Sequence, residues 1–312
     1  MSRLAGSRAW RPPRRRGWRA RPVRALRGAA FVALVGSAIV GVSEGLAVGD
    51  GLPEHPAVAR LPAPGDHWVF VPDRLLRHSL LFDGDSGVML GIVDTPNELM
   101  FPPPLVSRAR GEIYSADIVY ARGTRGPRSD FVGIYDLETL VPVGEVAVPT
   151  RLAQSNVSLG YAELLGDRFL ALFNQFPEIS VSIVDIERRA FVGSIPVAGC
   201  AGVYPVSATR FATLCGDGTA LLVVIDAEGR LAQRIPSAAF FDPVVDPVAM
   251  PAGRDGARWT FVSFAGQVHT VDFSGPAPRV EPAWSLHGEA VEGTWRPGGL
   301  QHLSLIHISE PT

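Results

Sequence analysis

Two cysteines, Cys200 and Cys215, stand in the run GCAGVYPVSATRFATLCGDG and are the first residues whose spacing implies chemistry. They enclose 14 residues with a turn-prone centre at Ser207-Ala208, so folding the run as a hairpin sets them opposite each other on neighbouring strands. A disulfide is the principal reading, worth roughly 3 kcal/mol for a loop of this size if chain entropy dominates. Two reduced cysteines, buried as small apolar residues, are the alternative. Zinc is disfavoured, since no histidine sits at ligand spacing from them. The run DGDSG (83–87) has the acidic spacing of a calcium loop, but Val88 occupies the position that needs glycine and no glutamate closes the loop, so it reads as a hairpin turn. The seven histidines are scattered, and His269 in QVHTVD reads as a satisfied core or surface histidine. No G-x-S-x-G elbow, H-E-x-x-H or G-x-G-x-x-G occurs. The chain therefore offers no catalytic constellation, no metal site and no cofactor site of its own, which suits a platform better than a reactive centre.

The elements that must position these residues are short. The chain has 312 residues, 46% of them hydrophobic and 19% charged, with 33 glycines and 27 prolines spread throughout, a composition that favours many strands joined by turns. All 29 basic residues are arginine, which excludes a Walker A lysine and a lysine Schiff base. Ten of those arginines lie in the first 27 residues. Beyond residue 43 the remaining 19 face 31 acids, a net of −12 that argues against nucleic-acid binding. The basic start, the 15-residue apolar run at 28–42 and the small residues Gly45 and Ala47 read as a signal peptide over 1–47. Fifteen apolar residues fall short of the ~20 needed to span a bilayer, so a cleaved signal is expected, with no membrane attachment afterwards and a periplasmic destination.

A Pro-rich linker (48–65) leads into a repeat. Five apolar runs end at Asp83, Asp136, Asp185, Asp226 and Asp272, spaced 53, 49, 41 and 46 residues apart, and in the first three a glycine follows eight residues later (Gly91, Gly144, Gly193). Each reads as a strand whose terminal aspartate caps a hairpin turn. Further strand-like runs between them, such as GEIYSADIVYA and DRFLALFNQF, make about four strands per repeat. A four-stranded unit recurring every ~40–50 residues is the pattern of a β-propeller blade, so the fold class is all-β, with about five blades over 66–302. A β-sandwich is the competing architecture. PNELM and AAFFDP could form helical turns.

Five motifs, in order, carry a family resemblance: ARGTRGPRSDFVGIYDLETLVPVGEVAVP, ALFNQFPEISVSIVDIERRAF, the cysteine pair followed by GDGT, GQVHTVD, and WRPGGLQ. Together they resemble the heavy subunit of the quinoprotein amine dehydrogenases, the methylamine and aromatic amine dehydrogenases. The resemblance implies a seven-bladed propeller in the periplasm, here about five blades forming an open arc. It implies a heterotetramer of two heavy chains and two small light chains, with the cofactor, tryptophan tryptophylquinone, on the light chain. Such an assembly oxidises a primary amine to aldehyde and ammonia and passes electrons to a blue copper protein or a cytochrome. No catalytic residue is implied in this chain. The family's aromatic channel gate aligns with NELMFPPP, at Met100 with Phe101 beside it. The alternatives are a non-enzymatic periplasmic propeller that binds a protein partner, and a propeller hydrolase of the lactonase kind. In the family WRPGGLQ lies within the chain, whereas 303–312 (LSLIHISEPT) matches the translation of a sequencing-library adapter, so a C-terminally truncated propeller with an unsupported tail is expected.

Overall fold

The structure, a computed structural model, describes residues 59–73, 76–95, 103–152, 160–287 and 296–298. All of them belong to one unit, Ala57–Thr312. Among them there are strands and turns but no helix. The strands form five antiparallel sheets in chain order, a five-blade β-propeller arrangement. Blade 1 holds β1 (Trp68–Asp73), β2 (His78–Asp83) and β3 (Met89–Asp94). Blade 2 holds β4 (Leu105–Ser107), β5 (Glu112–Tyr120), β6 (Arg128–Asp136) and β7 (Pro142–Val148). Blade 3 holds β8 (Ala162–Leu165), β9 (Phe169–Asn174), β10 (Ser180–Asp185) and β11 (Ala190–Pro196). Blade 4 holds β12 (Cys200–Ser207), β13 (Arg210–Cys215), β14 (Ala220–Ile225) and β15 (Leu231–Pro236). Blade 5 holds β16 (Gly253–Asp255), β17 (Arg258–Val262), β18 (Gln267–Asp272) and an outer strand in two pieces, β19 (Arg279–Val280) and β20 (Trp284–Ser285), both paired to β18. Four strands per repeat therefore hold in the middle blades, while the described part of blade 1 has three. AAFFDP does not form a helical turn; it runs through bends, because its backbone is tied to a neighbouring turn rather than to itself.

The five aspartates behave as their spacing requires. The Asp83 carboxylate accepts the Asp85 N–H and the Ser86 hydroxyl; Asp136 accepts the Glu138 and Thr139 N–H groups; Asp185 accepts the Arg188 N–H. Asp226 accepts those of Glu228 and Arg230, and Asp272 that of Ser274. Each satisfies turn donors that no ladder reaches. The residue after the aspartate then ties the blade's first turn: Gly84, Leu137, Ile186 and Phe273 donate to the carbonyls of His67, Gly111, Arg168 and Ala257. Beside the aspartate turn a β-bulge shifts the register in each of the first four blades, between Leu81/Phe82, Ile134/Tyr135, Ile183/Val184 and Val224/Ile225. Gly91, Gly144 and Gly193 sit opposite Leu81, Ile134 and Ile183, immediately after the extra residue of the bulge.

Strand alternation then assigns the core. On blade 2, Ile113, Tyr135 and Leu137 join Val93 of blade 1, whereas Tyr114, Ile134 and Val146 join Leu170, Leu172 and Val184 of blade 3. On blade 3, Ile183 and Phe169 turn the other way, toward Val203 and Phe211 of blade 4. Tyr204 and Leu222 of blade 4 meet Trp259, Phe261 and Phe273 of blade 5, with Tyr204 edge-on to both Trp259 and Phe261 at 5.2 Å. Each such side chain contributes on the order of 1.5–3 kcal/mol by leaving water. Glycines set how closely blades approach. A Cβ at Gly91 would stand 2.5 Å from Leu140 of the next blade, and one at Gly144 would stand 2.8 Å from the Arg189 guanidinium. Cys200 and Cys215 are register partners on β12 and β13 and are joined by a disulfide, as the hairpin reading expects.

Two outcomes follow for stability. Gly218 has φ +83° and its Cβ would collide with the Phe241 carbonyl oxygen, whereas Gly193 has open space around its Cβ position. Gly218→Ala is expected to cost about 2–3 kcal/mol in urea unfolding, and Gly193→Ala to change stability by no more than about 1 kcal/mol. Thiol titration of the protein unfolded without reductant is expected to find no free cysteine; two titratable thiols would contradict the Cys200–Cys215 bridge.

Candidate functional site

Antiparallel order places the connections between blades and the second turn of each blade at one end of the strands, the connector end. The aspartate turns lie at the other. The two ends differ in chemistry. At the turn end, arginines pair with carboxylates: Arg168 with Asp185, Arg189 with Glu112, Arg258 with Glu281 and Arg279 with Asp272. Asp272 is drawn down to about 2 by the Ser274 hydroxyl and N–H and by Arg279. At the connector end, Arg128 grips Asp130 in a bidentate pair of 2.6 and 2.7 Å, and Asp130 also accepts the N–H groups of Arg151 and Leu152. This gives the R-S-D motif (128–130) a physical role: it pins the blade 2 to blade 3 connector.

Beside that anchor a cleft of about 190 Å³ opens between blades 3 and 4. Tyr161, Phe173, Ile179 and Met250 line it, and Gly160 and Gly202 let the two innermost strands close up, with Val203 donating to the Gly160 carbonyl. Phe176 is exposed on the neighbouring turn. Glu163, partly buried on β8, accepts the Gly160 N–H; burial pushes its carboxyl up to about 7 against the pull of that hydrogen bond and of Arg254. Nothing here pairs a nucleophile with a base. The lining is mostly apolar and has the character to take an apolar side chain.

The other residues singled out in the sequence are separated. Met100 and Phe101, the channel candidates, lie outside the described residues. Cys200 and Cys215 serve structure. His269 is buried in β18, beside the Phe240 ring at 5.9 Å. The DGDSG run is a capped turn, and no cluster of three or more histidine, cysteine or acidic side chains suited to a metal occurs among the described residues.

Sequence reading missed Asp117. It lies on β5, fully buried at the blade 1–blade 2 interface; the Ser115 hydroxyl donates to one oxygen and the other has no partner. Gly133 on the adjacent β6 leaves the space it occupies, since a Cβ there would stand 3.1 Å from the unpaired oxygen. Burial pushes its carboxyl up to about 7, and the Asp94 charge adds to the rise.

The fold is an all-β, five-blade β-propeller arrangement. The chain belongs to the methylamine dehydrogenase heavy chain family, whose sequence profile matches residues 70–310, a span that takes in most of the C-terminal tail. The methylamine dehydrogenase heavy chain of Methylophilus methylotrophus is 25% identical over 260 residues, covering 81% of this chain and 63% of its own length. That of Paracoccus versutus is 26% identical over 269 residues, covering 83% and 62%. The chain thus spans less than two thirds of these relatives. Two solved structures share the fold at a TM-score of 0.50. A functionally unknown protein from Desulfotomaculum acetoxidans is 13% identical, with 71% of this chain and 67% of that one covered. A dihydro-heme d1 dehydrogenase is 16% identical, with 75% and 47% covered.

The buried carboxyl of Asp117 gives a pH dependence. Its folded value lies above the unfolded value of 3.8, so between the two the folded chain keeps a proton that the unfolded chain releases. Stability therefore falls as pH rises from about 4 to about 7, and the loss persists above. Asp117→Asn should flatten that slope and raise stability at pH 8 by about 1–3 kcal/mol, read from thermal melts of both proteins at pH 5 and pH 8.

Proposed function

We propose that this chain is the propeller subunit of a periplasmic amine dehydrogenase that oxidises a primary amine to aldehyde and ammonia. The observation that carries the reading is the family match over residues 70–310, which takes in the Arg128–Asp130 anchor and the bridged cysteines. In this reading the assembly holds two such chains and two light chains, and the tryptophan tryptophylquinone, which accepts the electrons of the amine, belongs to the light chain. Trp259 fits that division: it is buried, with its indole N–H donating to the Pro205 carbonyl, and serves the core. The propeller's task is to hold the light chain and wall the path of the substrate, with Met100 and the adjacent Phe101 as the channel residues. A blue copper protein or a cytochrome takes the electrons onward. The signal-like composition of 1–47 supports the periplasmic setting, and among the described residues no helix is long and apolar enough to cross a membrane.

The test is co-expression with a small cysteine-rich protein encoded beside this chain. A complex with quinone absorbance and amine-dependent dye reduction is expected. If the chain purifies without a small subunit, and deleting its gene leaves amine oxidation intact, the reading fails.

A further inference from the structure

The interface between blades 1 and 2 holds polar groups in an apolar setting. Ile113, Ser115 and Asp117 alternate on one face of β5, and Gly133 and Tyr135 of β6 continue that face, as register partners of Ser115 and Ile113. Ile113 and Tyr135 pack with Val93 of blade 1. Ser115 and Tyr135 are buried there, and Asp117 is 0% exposed. Two polar atoms of this face converge on one point. The place that a Cβ on Gly133 would take is 3.1 Å from the unpartnered Asp117 oxygen and 3.3 Å from the Tyr135 hydroxyl. The Tyr135 hydroxyl donates to the Asp94 carbonyl, at the end of β3. One residue on, the Thr95 N–H donates to the Arg77 carbonyl and its hydroxyl meets that of Ser79. Here the chain leaves blade 1. One hydroxyl proton of blade 2 therefore holds the end of β3, and an unused carboxyl oxygen stands beside it.

The charge on that carboxyl decides how strongly it competes for the proton. Burial opposes its ionisation most; the Ser115 hydroxyl, donating to the other oxygen from the same strand, favours it; the Asp94 charge from β3 opposes it. No arginine or histidine is among the groups that act on it. Burial also keeps the Tyr135 hydroxyl of β6 protonated, so it remains a donor. The blade 1 hydroxyls of Ser79 and Thr95 are neutral and bonded to each other. A neutral carboxyl oxygen competes poorly with a peptide carbonyl for the Tyr135 proton. A buried carboxylate with a free oxygen competes well, because a hydrogen bond to it is charge-assisted and leaving it unpaired is costly.

We propose that Asp117 and Tyr135 form a proton-operated latch on blade 1. With Asp117 protonated, Tyr135 holds the Asp94 carbonyl. When Asp117 gives its proton to solvent, the Tyr135 hydroxyl turns to the free carboxylate oxygen, and the Asp94 carbonyl loses its donor. Like charge on Asp117 and Asp94 then pushes the end of β3 away from blade 2. The latch is distinct from the global stability loss described above, because it acts at the end of β3 and turns over only where Asp117 ionises in the folded chain, at about pH 7. It does not require the enzymatic reading.

The test is amide hydrogen exchange of the Thr95 N–H in the full chain across the range from about pH 4 to about pH 8, corrected for the intrinsic rate at each pH. Global stability declines steadily from about pH 4 to about pH 7 and then levels off. The latch instead keeps Thr95 protected to about pH 6 and lowers its protection about five- to tenfold by about pH 8, the effect of one hydrogen bond. The step is expected to vanish in Asp117→Asn, which stays protected throughout, and in Tyr135→Phe, which is poorly protected on both sides of neutrality. Thr95 protection that follows the global course, that does not change across neutrality, or that keeps its step in either folded variant overturns the latch. If neither variant folds, the pH course of Thr95 in the unmodified chain decides.

Discussion

A blade of this protein has two apolar faces and cannot satisfy both by itself. Every residue of β10 is buried, and its alternate side chains face different neighbours: Ile183 looks to blade 4, and Val184 joins the core shared with blade 2. Sheet twist and hydrogen bonding organise each blade, but the apolar contacts across its faces hold it in place. The far face of blade 1 illustrates the rule by exception. There Val69, Val71 and Ile92 are exposed, next to Phe82 and Leu80 in register, and no described element packs over them. The polar features of the molecule are intelligible as what is needed to bring such faces together without leaving backbone groups unpaired.

The aspartate turn meets that need directly, because one carboxylate satisfies several turn donors and fixes where the outer strand begins. The bulge beside it resets which side chains of that strand face which neighbour. The glycine eight residues on then lets the neighbouring turn approach: Leu140 fits against Gly91, and the Arg189 guanidinium against Gly144, from where it reaches the Val143 carbonyl and Glu112. Leu140 and Arg189 themselves occupy the left-handed region, at φ 58° and 51°, a conformation that L side chains adopt at some cost and that contact with the adjacent blade offsets.

Much of this is legible in the sequence because it depends on local, periodic constraints. The five aspartates, the three glycines and the cysteine pair fall at fixed offsets within a repeat, and each offset corresponds to a turn, a bulge or a cross-strand pair. What depends on the neighbouring blade is not legible. Asp117 sits in GEIYSADIVYA, where alternation suggests a polar face; only the packing of blade 1 makes that face an interior. His269 resembles any strand histidine; only the connector after β15, which brings Phe240 to 5.9 Å from its ring, makes its surroundings visible. AAFFDP has a composition compatible with a helical turn, and the tertiary hydrogen bond to Gly218 wins over local propensity. Met100 and Phe101 fall outside the described residues, so the channel reading still rests on resemblance.

The two ends of the strands divide the work. At the turn end, charges face one another in arginine–carboxylate pairs and caps, and Val88, Met89, Val141 and Val143 lie exposed beside the aspartate turns. At the connector end the chain exposes apolar side chains: Phe176 beside the cleft, Val244 and Val245 on the connector after β15, at 87% and 78% exposure, and Phe264. The carboxylates of Asp217, Asp242 and Asp246 lie near Val244. A propeller is suited to carry that surface, because strands fixed by burial on both faces hold the connectors at set distances without needing helices to brace them. The set positions of the connectors are thus a consequence of one arrangement, in which each blade is stabilised by its neighbours.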